Sequence, residues 1–302
     1  MSDLNTGLVI YAHAGSYEVQ SGSQRVICLL RGRLKREKLY TDLLVAGDRV
    51  RWRLSGPGRG IIEEILPRDS QLSRPRPGSS VTEDLIMANP DQAVFVFSVR
   101  QPEPNLRLLD RFLVVAEANE LPAVICANKV DLLGADENPG ELFGLYEAIG
   151  YVVIYTSAVS GQGVAALRKR LRGKLSVLTG PSGAGKTSLL NSVQPELGLA
   201  TGQISQSTGK GRHTTVSIRL FPLDTSGYVA DTPGLRSLAL WDTEPEELDG
   251  YFPELAPLVT HCQFSDCSHK TEPGCAVRAA VEAGQVRPER YDSYLRLRAG
   301  EE

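Results

Sequence analysis

The chain has 302 residues, of which 41% are hydrophobic and 23% are charged, a composition that is ordinary for a globular protein of two or three domains. It contains no run of 18 apolar residues, and its N-terminus lacks the basic and apolar segments of a secretory signal. We therefore expect a cytoplasmic protein without a membrane span.

Basic charge is concentrated near the N-terminus. Residues 1–78 hold 13 lysines and arginines against 8 acidic residues, whereas the rest of the chain holds 20 against 28. This asymmetry indicates a polyanion-binding module joined to something else, although a solvated basic surface would give the same counts.

The first 70 residues predict five short strands, because apolar segments are separated by glycine-rich turns. The predicted strands span residues 7–12, 16–20, 24–34, 48–54 and 60–67. Five strands in so short a segment favour a closed, OB-like β-barrel, a type that commonly binds single-stranded nucleic acid. In the fourth strand, alternation places Val50, Trp52 and Leu54 toward the barrel interior and three arginines on the opposite face.

The cations of this barrel are the candidate contacts to nucleic-acid phosphates, although such contacts carry no base specificity. They lie in the fourth strand and in a basic segment at the end of the third. The candidates are Arg31, Arg33, Lys35, Arg36, Lys38, Arg49, Arg51 and Arg53.

A segment rich in proline, glycine and serine, residues 74–80, predicts the first domain boundary. After it, apolar strands alternate with helices up to residue 236, which predicts a mostly parallel α/β sheet. The remaining residues predict short helices around a cysteine cluster. We therefore expect a barrel over residues 1–76, an α/β domain over 77–236 and a helical tail over 237–302.

The sequence GPSGAGKT, residues 180–187, follows an apolar strand and opens a helix, which is the context of a phosphate-binding loop. Its glycines let backbone N–H groups approach phosphates at a helix N-terminus. Lys186 would reach the β- and γ-phosphates, and the Thr187 hydroxyl would bind Mg²⁺. The predicted nucleotide contacts of this loop are Gly180, Pro181, Ser182, Gly183, Ala184, Gly185, Lys186, Thr187 and Ser188.

The motif DTPG, residues 231–234, ends an apolar strand and predicts the element that responds to the γ-phosphate. Asp231 would hold Mg²⁺, and the Gly234 N–H would contact the γ-phosphate. Between this motif and the phosphate loop lies a polar, glycine-rich segment. From that segment we predict that Thr215 completes the Mg²⁺ shell, with Thr214 as the second choice.

Guanine recognition is predicted by NKVD, which ends another apolar strand. Asn128 can bond the guanine edge, Lys129 can lay its stem over the ring, and Asp131 can accept from the ring N–H and the exocyclic amine. Adenine lacks those two donors, so ATP would leave the Asp131 carboxylate unpaired. The next strand ends in Ser157 and Ala158, where a Ras-like GTPase carries its second base-contacting loop.

These motifs occur in the order base, base, phosphate, switch, switch, whereas an ordinary Ras-like GTPase begins with the phosphate loop. Domain termini often lie close together, which lets a fold tolerate circular permutation. Here the helix after the second base loop is joined to the phosphate-loop strand through little more than Gly173 and Lys174. A single, circularly permuted guanine site explains every spacing.

With these motifs the sequence resembles the circularly permuted ribosome small subunit-dependent GTPase A family. The resemblance covers nearly the whole chain and rests on ANKVDLL, TSA, GPSGAGKTSLLN, GKGRHTT, DTPGLRSLALW and the C-terminal cysteine pattern. It implies GTP hydrolysis stimulated by the 30S ribosomal subunit, binding to 16S rRNA, and a role late in small-subunit maturation. Ala184 and Thr187 stand where relatives often have Val and Ser, and both keep the required chemistry.

The residue that orients the attacking water is not obvious. Ras-type enzymes use a glutamine just after D-x-x-G, but here that position is Leu235. His213 is the candidate by residue type and position, and the resemblance also implies a catalytic histidine there; the alternative is a solvated loop histidine. The predicted catalytic residues are His213, Lys186 and Thr215.

The segment CQFSDCSHKTEPGC gathers soft ligands in one short loop, which suits a structural, tetrahedral Zn²⁺. His261 competes as the imidazole, and the resemblance implies His269. A tail with little core of its own would be stabilised by such a metal. The predicted zinc ligands are Cys262, Cys267, His269 and Cys275.

We therefore expect a monomeric, cytoplasmic GTPase with an OB-like barrel, a permuted Ras-like domain and a zinc-binding helical tail, using Mg²⁺ with GTP. One alternative is an RNA-binding assembly factor that uses GTP as a binding switch with little hydrolysis. Multiple-turnover phosphate release with 30S subunits present separates these two. The other alternative is a P-loop ATPase or kinase, which competition between GTP and ATP separates.

Overall fold

The computed structural model describes residues 4–32, 44–75, 83–199, 218–231 and 245–301. Its strands are β1 (Asn5–His13), β2 (Ser16–Ser21), β3 (Gln24–Leu30), β4 (Arg49–Gly56), β5 (Arg59–Ile65), β6 (Gln71–Pro75), β7 (Glu83–Ala88), β8 (Gln92–Ser98), β9 (Ala123–Asn128), β10 (Val152–Thr156), β11 (Leu175–Thr179), β12 (Arg219–Pro222) and β13 (Tyr228–Asp231).

The α-helices in the same ranges are α1 (Leu106–Ala118), α2 (Gly140–Ile149), α3 (Val164–Leu171), α4 (Lys186–Val193), α5 (Ala256–Val259), α6 (Ala276–Glu282) and α7 (Pro288–Arg298). Short 3₁₀ turns occupy Val130–Leu132, Pro195–Leu197 and Leu248–Tyr251. In the described part of the chain, no helix has both the length and the apolar character needed to cross a membrane.

Strands β1 to β5 form the predicted five-stranded barrel. Their order is β1-β2-β3-β5-β4, and β1 also pairs with β4, which closes the barrel. Strands β3 and β5 are parallel, as a Greek-key barrel of the OB type allows. The interior contains Val19, Cys28, Trp52 and Ile62, all buried. Gly60 is required beside them because a Cβ there would lie 2.8 Å from Trp52 Cε3.

Two details of the barrel differ from the prediction. Leu54 is 58% exposed instead of buried, because the register of β4 against β5 shifts between Leu54 and Gly56 and the alternation ends there. Strand β3 ends at Leu30 rather than at residue 34. The basic segment that follows, residues 33–43, lies outside the described ranges.

The predicted parallel sheet has the order β10-β9-β8-β11-β13, with every neighbouring pair parallel. The sequence did not predict β12, which pairs antiparallel with β13 and contacts β1 where Arg219 lies opposite Tyr11. The barrel and the parallel sheet are therefore parts of one continuous 11-stranded sheet.

Strands β6 and β7 form a separate two-stranded antiparallel sheet, which the sequence also did not predict. Strand β6 extends into the proline-rich segment that we expected to be a linker, and residues 76–82 lie outside the described ranges. The two boundaries between the three predicted domains, after residues 76 and 236, stay predictions.

Helices cover both faces of the parallel sheet. Helices α1 and α2 pack on one face around Phe95 and Phe112, and α3 and α4 pack on the other around Leu167 and Leu189. Strands β8 and β11 are buried along their whole length, as expected for parallel strands covered on both sides. Because these strands are parallel, the loops that follow them meet at one edge of the sheet.

The C-terminal tail packs against α1. Val114 of α1 belongs to the same buried cluster as Tyr294 of α7. Beside this cluster, the buried Arg290 of α7 donates to Asp110 of α1 at 2.7 Å and to Glu254 at 2.6 Å. Removal of either partner would leave a buried charge unpaired, which is strongly destabilising. Helix α1 is therefore held by the tail on the side away from the sheet.

Candidate functional site

The candidate nucleotide site lies at the carboxyl edge of the parallel sheet, where separated motifs come into contact. Asn128 ends β9, and its Nδ2 donates to the carbonyl of Ala184 in the phosphate loop at 2.9 Å. Thr156 ends β10, and its Oγ1 donates to Asn128 Oδ1 at 3.0 Å. Asn128 and Thr156 are both buried. The first base motif and the phosphate loop, 56 residues apart, therefore form one site.

The phosphate loop leaves β11 and enters α4 through backbone conformations that favour glycine. Gly180, Gly183 and Gly185 have φ of 149°, 79° and 89°. A Cβ at Gly180 would lie 2.0 Å from the Val96 carbonyl oxygen, and one at Gly185 would lie 2.5 Å from Asn128 Nδ2. These positions need glycine because the loop passes so close to its neighbours.

Lys186 and Thr187 are buried in the first turn of α4. Lys186 Nζ donates to the carbonyls of Gly180 at 2.8 Å and Pro181 at 2.7 Å, so its ammonium group is directed into the loop. The N-terminus of a helix carries partial positive charge and unpaired N–H groups. Together these features suit the binding of a polyphosphate.

The base-recognition residues lie on adjacent loops. Asp131 is exposed, and its Oδ1 accepts a hydrogen bond from Ser157 Oγ at 2.5 Å. Ser157 Oγ accepts in turn from the N–H groups of Val159 at 3.1 Å and Ser160 at 2.9 Å. This chain of hydrogen bonds orients the Asp131 carboxylate at the mouth of the site.

A further bond ties the second base loop to the phosphate-loop helix. Ser192 Oγ of α4 donates to the carbonyl of Ala158 at 3.2 Å.

Lys129 of the first base motif has a φ of 65°, and its Nζ donates to the carbonyl oxygen of Gln101. The structure thus brings together the predicted base residues Asn128, Lys129, Asp131, Ser157 and Ala158 beside the phosphate loop.

The predicted switch residues are described only in part. Asp231 ends β13 opposite Leu178 of the neighbouring β11, so its backbone lies beside the strand that leads into the phosphate loop. Its side chain is outside the described part of the molecule. The predicted residues His213, Thr214, Thr215, Gly234 and Leu235 also lie outside the described ranges.

The predicted metal ligands come together in the tail. The ligand atoms of Cys262, Cys267, His269 and Cys275 all lie within 4.8 Å of one another. His269 Nδ1 lies 3.6 Å from Cys262 Sγ and 3.4 Å from Cys275 Sγ. Zn–S and Zn–N bonds of ordinary length give a tetrahedral S···N edge of about 3.6 Å. The four residues therefore fit a tetrahedral Zn²⁺. His261 lies outside the cluster and faces the Pro257 carbonyl.

A carboxylate orients the histidine of the cluster. Asp249 Oδ2 lies 2.9 Å from His269 Nε2, which leaves Nδ1 facing the cysteines. The carboxylate–histidine–metal arrangement is common in zinc proteins, where it fixes the ring orientation. His269 has a φ of 60°, in the region that favours glycine, and its carbonyl accepts from Tyr291 Oη at 2.5 Å.

The titratable groups of the cluster have pKa values that depart from their ordinary values in both directions. Burial opposes the charged form of His269, but Asp249 and Cys275 raise its pKa to about 9. Burial raises the pKa of the Cys275 thiol, yet the Arg278 N–H and His269 hold that pKa below its ordinary value. Burial raises the pKa of Cys267 to about 12. A metal ion would displace the remaining protons, since thiolates and neutral imidazole are the ligating forms.

The barrel arginines predicted to contact nucleic acid are ion-paired. The pairs are Arg49 with Asp69 at 2.6 Å, Arg51 with Glu64 at 3.1 Å, Arg53 with Glu63 at 2.7 Å and Arg31 with Glu63 at 2.5 Å. Hydrogen bonds from Arg53 and Arg31 hold the pKa of Glu63 below its ordinary value. Surface ion pairs of this kind add little stability, so each arginine can exchange its carboxylate partner for another anion. The candidates Arg33, Lys35, Arg36 and Lys38 lie outside the described ranges.

Sequence reasoning missed three residues that support these sites. Thr156 was detectable, because it is a polar residue that ends an apolar strand directly before the predicted base loop. Ser192 gave a weaker signal as a polar residue on the predicted helix. Asp249 gave none, because it precedes the cysteine segment and reaches His269 only through the folding of the tail.

The fold and these sites define a circularly permuted P-loop GTPase with an N-terminal barrel and a Cys₃His cluster in a helical tail. A family model described as RsgA GTPase matches residues 65–241. The chain belongs to this family, whose members are GTP hydrolases. The resemblance found in the sequence is therefore confirmed.

Relatives match over nearly the full length. The small ribosomal subunit biogenesis GTPase RsgA of Gemmatimonas aurantiaca is 45% identical over 99% of this chain and 98% of its own. The protein of the same name from Moorella thermoacetica is 43% identical over 96% and 94%. The crystal structure of YjeQ from Thermotoga maritima matches with a TM-score of 0.79 at 36% sequence identity, covering 99% of this chain and 98% of YjeQ. The crystal structure of YloQ, described as a circularly permuted GTPase, matches with a TM-score of 0.76 at 34% sequence identity. The match covers 99% of this chain and 95% of YloQ.

Proposed function

We propose that this chain hydrolyses GTP on the small (30S) ribosomal subunit and thereby assists or checks a late step in the maturation of that subunit. Relatives of nearly equal length are named as biogenesis GTPases of the small ribosomal subunit. The observation that carries the proposal is the hydrogen bond from Asn128 to the Ala184 carbonyl. Through it the base motif and the phosphate loop form one guanine-nucleotide site.

In this site the phosphate loop holds the phosphates. Lys186 contacts the β- and γ-phosphates, and Thr187 is a ligand of the Mg²⁺ that accompanies GTP. Asp131 accepts from the guanine N–H and amine, in the orientation that Ser157 gives it. The Ser157–Asp131 bond supports selection of guanine over adenine, because it holds the carboxylate where guanine presents two donors. Adenine has no matching donors at those positions.

The switch residues complete the site. Thr215 and Asp231 complete the shell of the Mg²⁺, and the Gly234 N–H contacts the γ-phosphate. His213 orients the water that attacks the γ-phosphorus as GDP leaves, because Leu235 has no group that can do so. Binding of the 30S subunit brings this histidine to the γ-phosphate, so the rate without the subunit is low.

The remaining parts bind the ribosome and stabilise the tail. The barrel contacts 16S rRNA phosphates through its exposed arginines, which exchange their carboxylate partners for RNA. One Zn²⁺ bound by the Cys₃His cluster is structural, because four protein ligands leave no open position. The protein acts as a monomer in the cytoplasm.

Multiple-turnover phosphate release with and without purified 30S subunits, at two salt concentrations, tests the proposal. We expect stimulation by the subunit that weakens at higher salt, because phosphate contacts are salt-sensitive. His213→Ala should bind GTP normally but lose the stimulation. His261→Ala is the matched control, since this exposed imidazole lies outside the metal cluster. Absence of stimulation in the wild type, or full stimulation of His213→Ala, would contradict the proposal.

A further inference from the structure

The connection between β8 and α1, residues 99–104, lies between the base loop and the phosphate loop. Strand β8 pairs with both β9 and β11, so the segment that follows it emerges between their two loops. The Val99 N–H donates to the Asn128 carbonyl at 2.8 Å and fixes the start of the segment. Asn105 caps α1 by accepting from the Leu108 N–H, which fixes its end. We call residues 99–104 the β8–α1 turn.

A buried serine closes this turn. Ser98 is the last residue of β8, lies opposite Asn128 in the strand register and is 1% exposed. Its Oγ donates to the carbonyl of Pro102 at 2.6 Å. A buried hydroxyl needs a partner, and this one finds it in the turn rather than in the sheet. The hydroxyl thereby sets the position of the backbone from residue 99 to residue 102.

The turn contacts both halves of the nucleotide site. The Gln101 carbonyl accepts from the Lys129 ammonium group. Gln101 and Lys129 both have positive φ, 55° and 65°, which non-glycine residues adopt only where the surroundings impose it. On the other side, a Cβ at Gly183 would lie 3.3 Å from Pro102 Cδ, so the Pro102 ring packs over the phosphate loop.

A surface ion pair contacts the solvent-exposed side of the same turn. Arg100 Nη2 lies 2.6 Å from Glu137 Oε1, and the second oxygen of Glu137 accepts from the Gly134 N–H at 2.6 Å. This pair joins the turn to the loop that follows the base motif. Because both side chains are exposed, we assign the positioning of Lys129 to the buried bond of Ser98 instead.

We propose that Ser98 is a positioning residue for guanine recognition. Its hydroxyl holds the Pro102 carbonyl and hence the neighbouring Gln101 carbonyl, which anchors the ammonium group of Lys129. The stem of Lys129 is then held over the plane of the base. This inference rests on the guanine site proposed above, and it adds a residue outside the known nucleotide motifs to the machinery that selects the base.

A double-mutant cycle between Ser98 and Lys129 tests this role in the full-length protein. Ser98→Ala removes the hydroxyl, and Lys129→Met keeps the stem but removes the ammonium group. We expect Ser98→Ala to raise the dissociation constants of GDP and of a non-hydrolysable GTP analogue equally, by about 5-fold, because it acts on the base end. In the Lys129→Met background the same change should have no further effect, and Ser98→Thr should restore affinity.

Ser176→Ala is the matched control. Ser176 is a buried serine of the neighbouring strand β11, and its hydroxyl accepts from Gln92 Nε2 at 2.8 Å near the opposite edge of the sheet. We expect it to lower the melting temperature as Ser98→Ala does, without changing either dissociation constant. If Ser98→Ala does not fold, Ser98→Cys, which keeps the volume but donates weakly, replaces it in the cycle.

Two results would overturn the inference. The first is unchanged GDP affinity in Ser98→Ala. The second is a loss of affinity from Ser98→Ala that is just as large in the Lys129→Met background, which would mean that Ser98 acts on the phosphate loop. A different result would count against the guanine site itself. If Lys129→Ala, which removes the stem as well as the ammonium group, binds GDP as tightly as the wild type, Lys129 does not contact the base.

Discussion

The candidate nucleotide site takes its residues from several strand ends between Ser98 and Asp231, whereas the metal cluster takes all four ligands from residues 262–275. In the nucleotide site the loops bond to one another, as Asn128 does to Ala184. In the candidate metal cluster the sulfur atoms face one another and one imidazole, at distances that suit the coordination of a metal ion.

This difference means that the two sites depend on different things. The described part of the nucleotide site is shaped by the sheet and by hydrogen bonds within the protein. The tail has three short helices around the cluster, so we predict that its stability depends on a bound metal. Changes to one site should therefore leave the other nearly intact.

The largest effect should follow from loss of the metal. Cys275→Ser, or removal of zinc by a chelator, should destabilise the tail by several kcal/mol, because metal binding and folding are coupled in such small domains. Hydrogen exchange across residues 245–301 measures this loss, and titration with GDP should show unchanged affinity. Cys28→Ala is the control, since Cys28 is a buried thiol in the barrel. Strong loss of GDP affinity on zinc removal would show that the two sites are coupled.

A smaller but still large effect should follow from Asn128→Ala. The change removes the amide donor of the Ala184 carbonyl and the oxygen acceptor of the Thr156 hydroxyl, which should weaken GDP binding about 100-fold. Equilibrium titration measures the affinity, and the zinc content should stay at one per chain. Asn191→Ala is the control. Asn191 lies on the part of α4 far from the site and bonds the backbone of Leu199, so we expect no change in GDP affinity. Equal losses in both variants would argue against the linking role of Asn128.

Asp249→Asn tests the support of the metal cluster. The amide cannot accept from His269 Nε2 as strongly as the carboxylate, so zinc affinity should fall about 10- to 100-fold. Competition with a chromogenic chelator gives the affinity, and GDP binding should not change. Asp266→Asn is the control, because Asp266 is exposed in the same segment and outside the ligand set. Unchanged zinc affinity in Asp249→Asn would mean that the carboxylate does not orient the imidazole.

The smallest effect is expected for Ser192→Ala. Its hydroxyl lies near the carbonyls of both Ala158 and Ser188, and the bond to Ala158 is long at 3.2 Å. We expect GDP affinity to fall about 2- to 3-fold, because the second base loop loses one of its ties to α4. Isothermal titration calorimetry resolves such a change. A loss larger than that of Asn128→Ala would reverse the order of importance assigned to the two ties.

The sequence predicted most of what is local. The cysteine spacing predicted the cluster, because its ligands lie in one segment and need only short-range folding. The base and phosphate motifs predicted a single site, because parallel strands bring their carboxyl ends to one edge. Leu54 was misplaced because a register shift depends on how β4 pairs with β5, which alternation does not reveal.

What the sequence could not predict depends on contacts between distant elements. Strand β12 was missed because four residues carry little periodicity, and its pairing with β1 is long-range. The ion pairs of the barrel arginines arise from carboxylates on other strands and loops. Asp249 was missed for the same reason, since it acts on a residue that only the fold brings near. Ser98 bonds a residue only four positions away, but the link from that turn to Lys129 depends on the fold.

Competition between nucleotides is the most direct test of a single guanine site built from permuted motifs. Fluorescently labelled GDP bound to the protein should be displaced by GTP at least about 1,000-fold more effectively than by ATP, because adenine leaves Asp131 unpaired. Asp131→Ala should reduce this preference sharply while the zinc content stays unchanged. Equal displacement by GTP and ATP in the wild type would contradict the assignment of Asn128, Lys129 and Asp131 to base recognition.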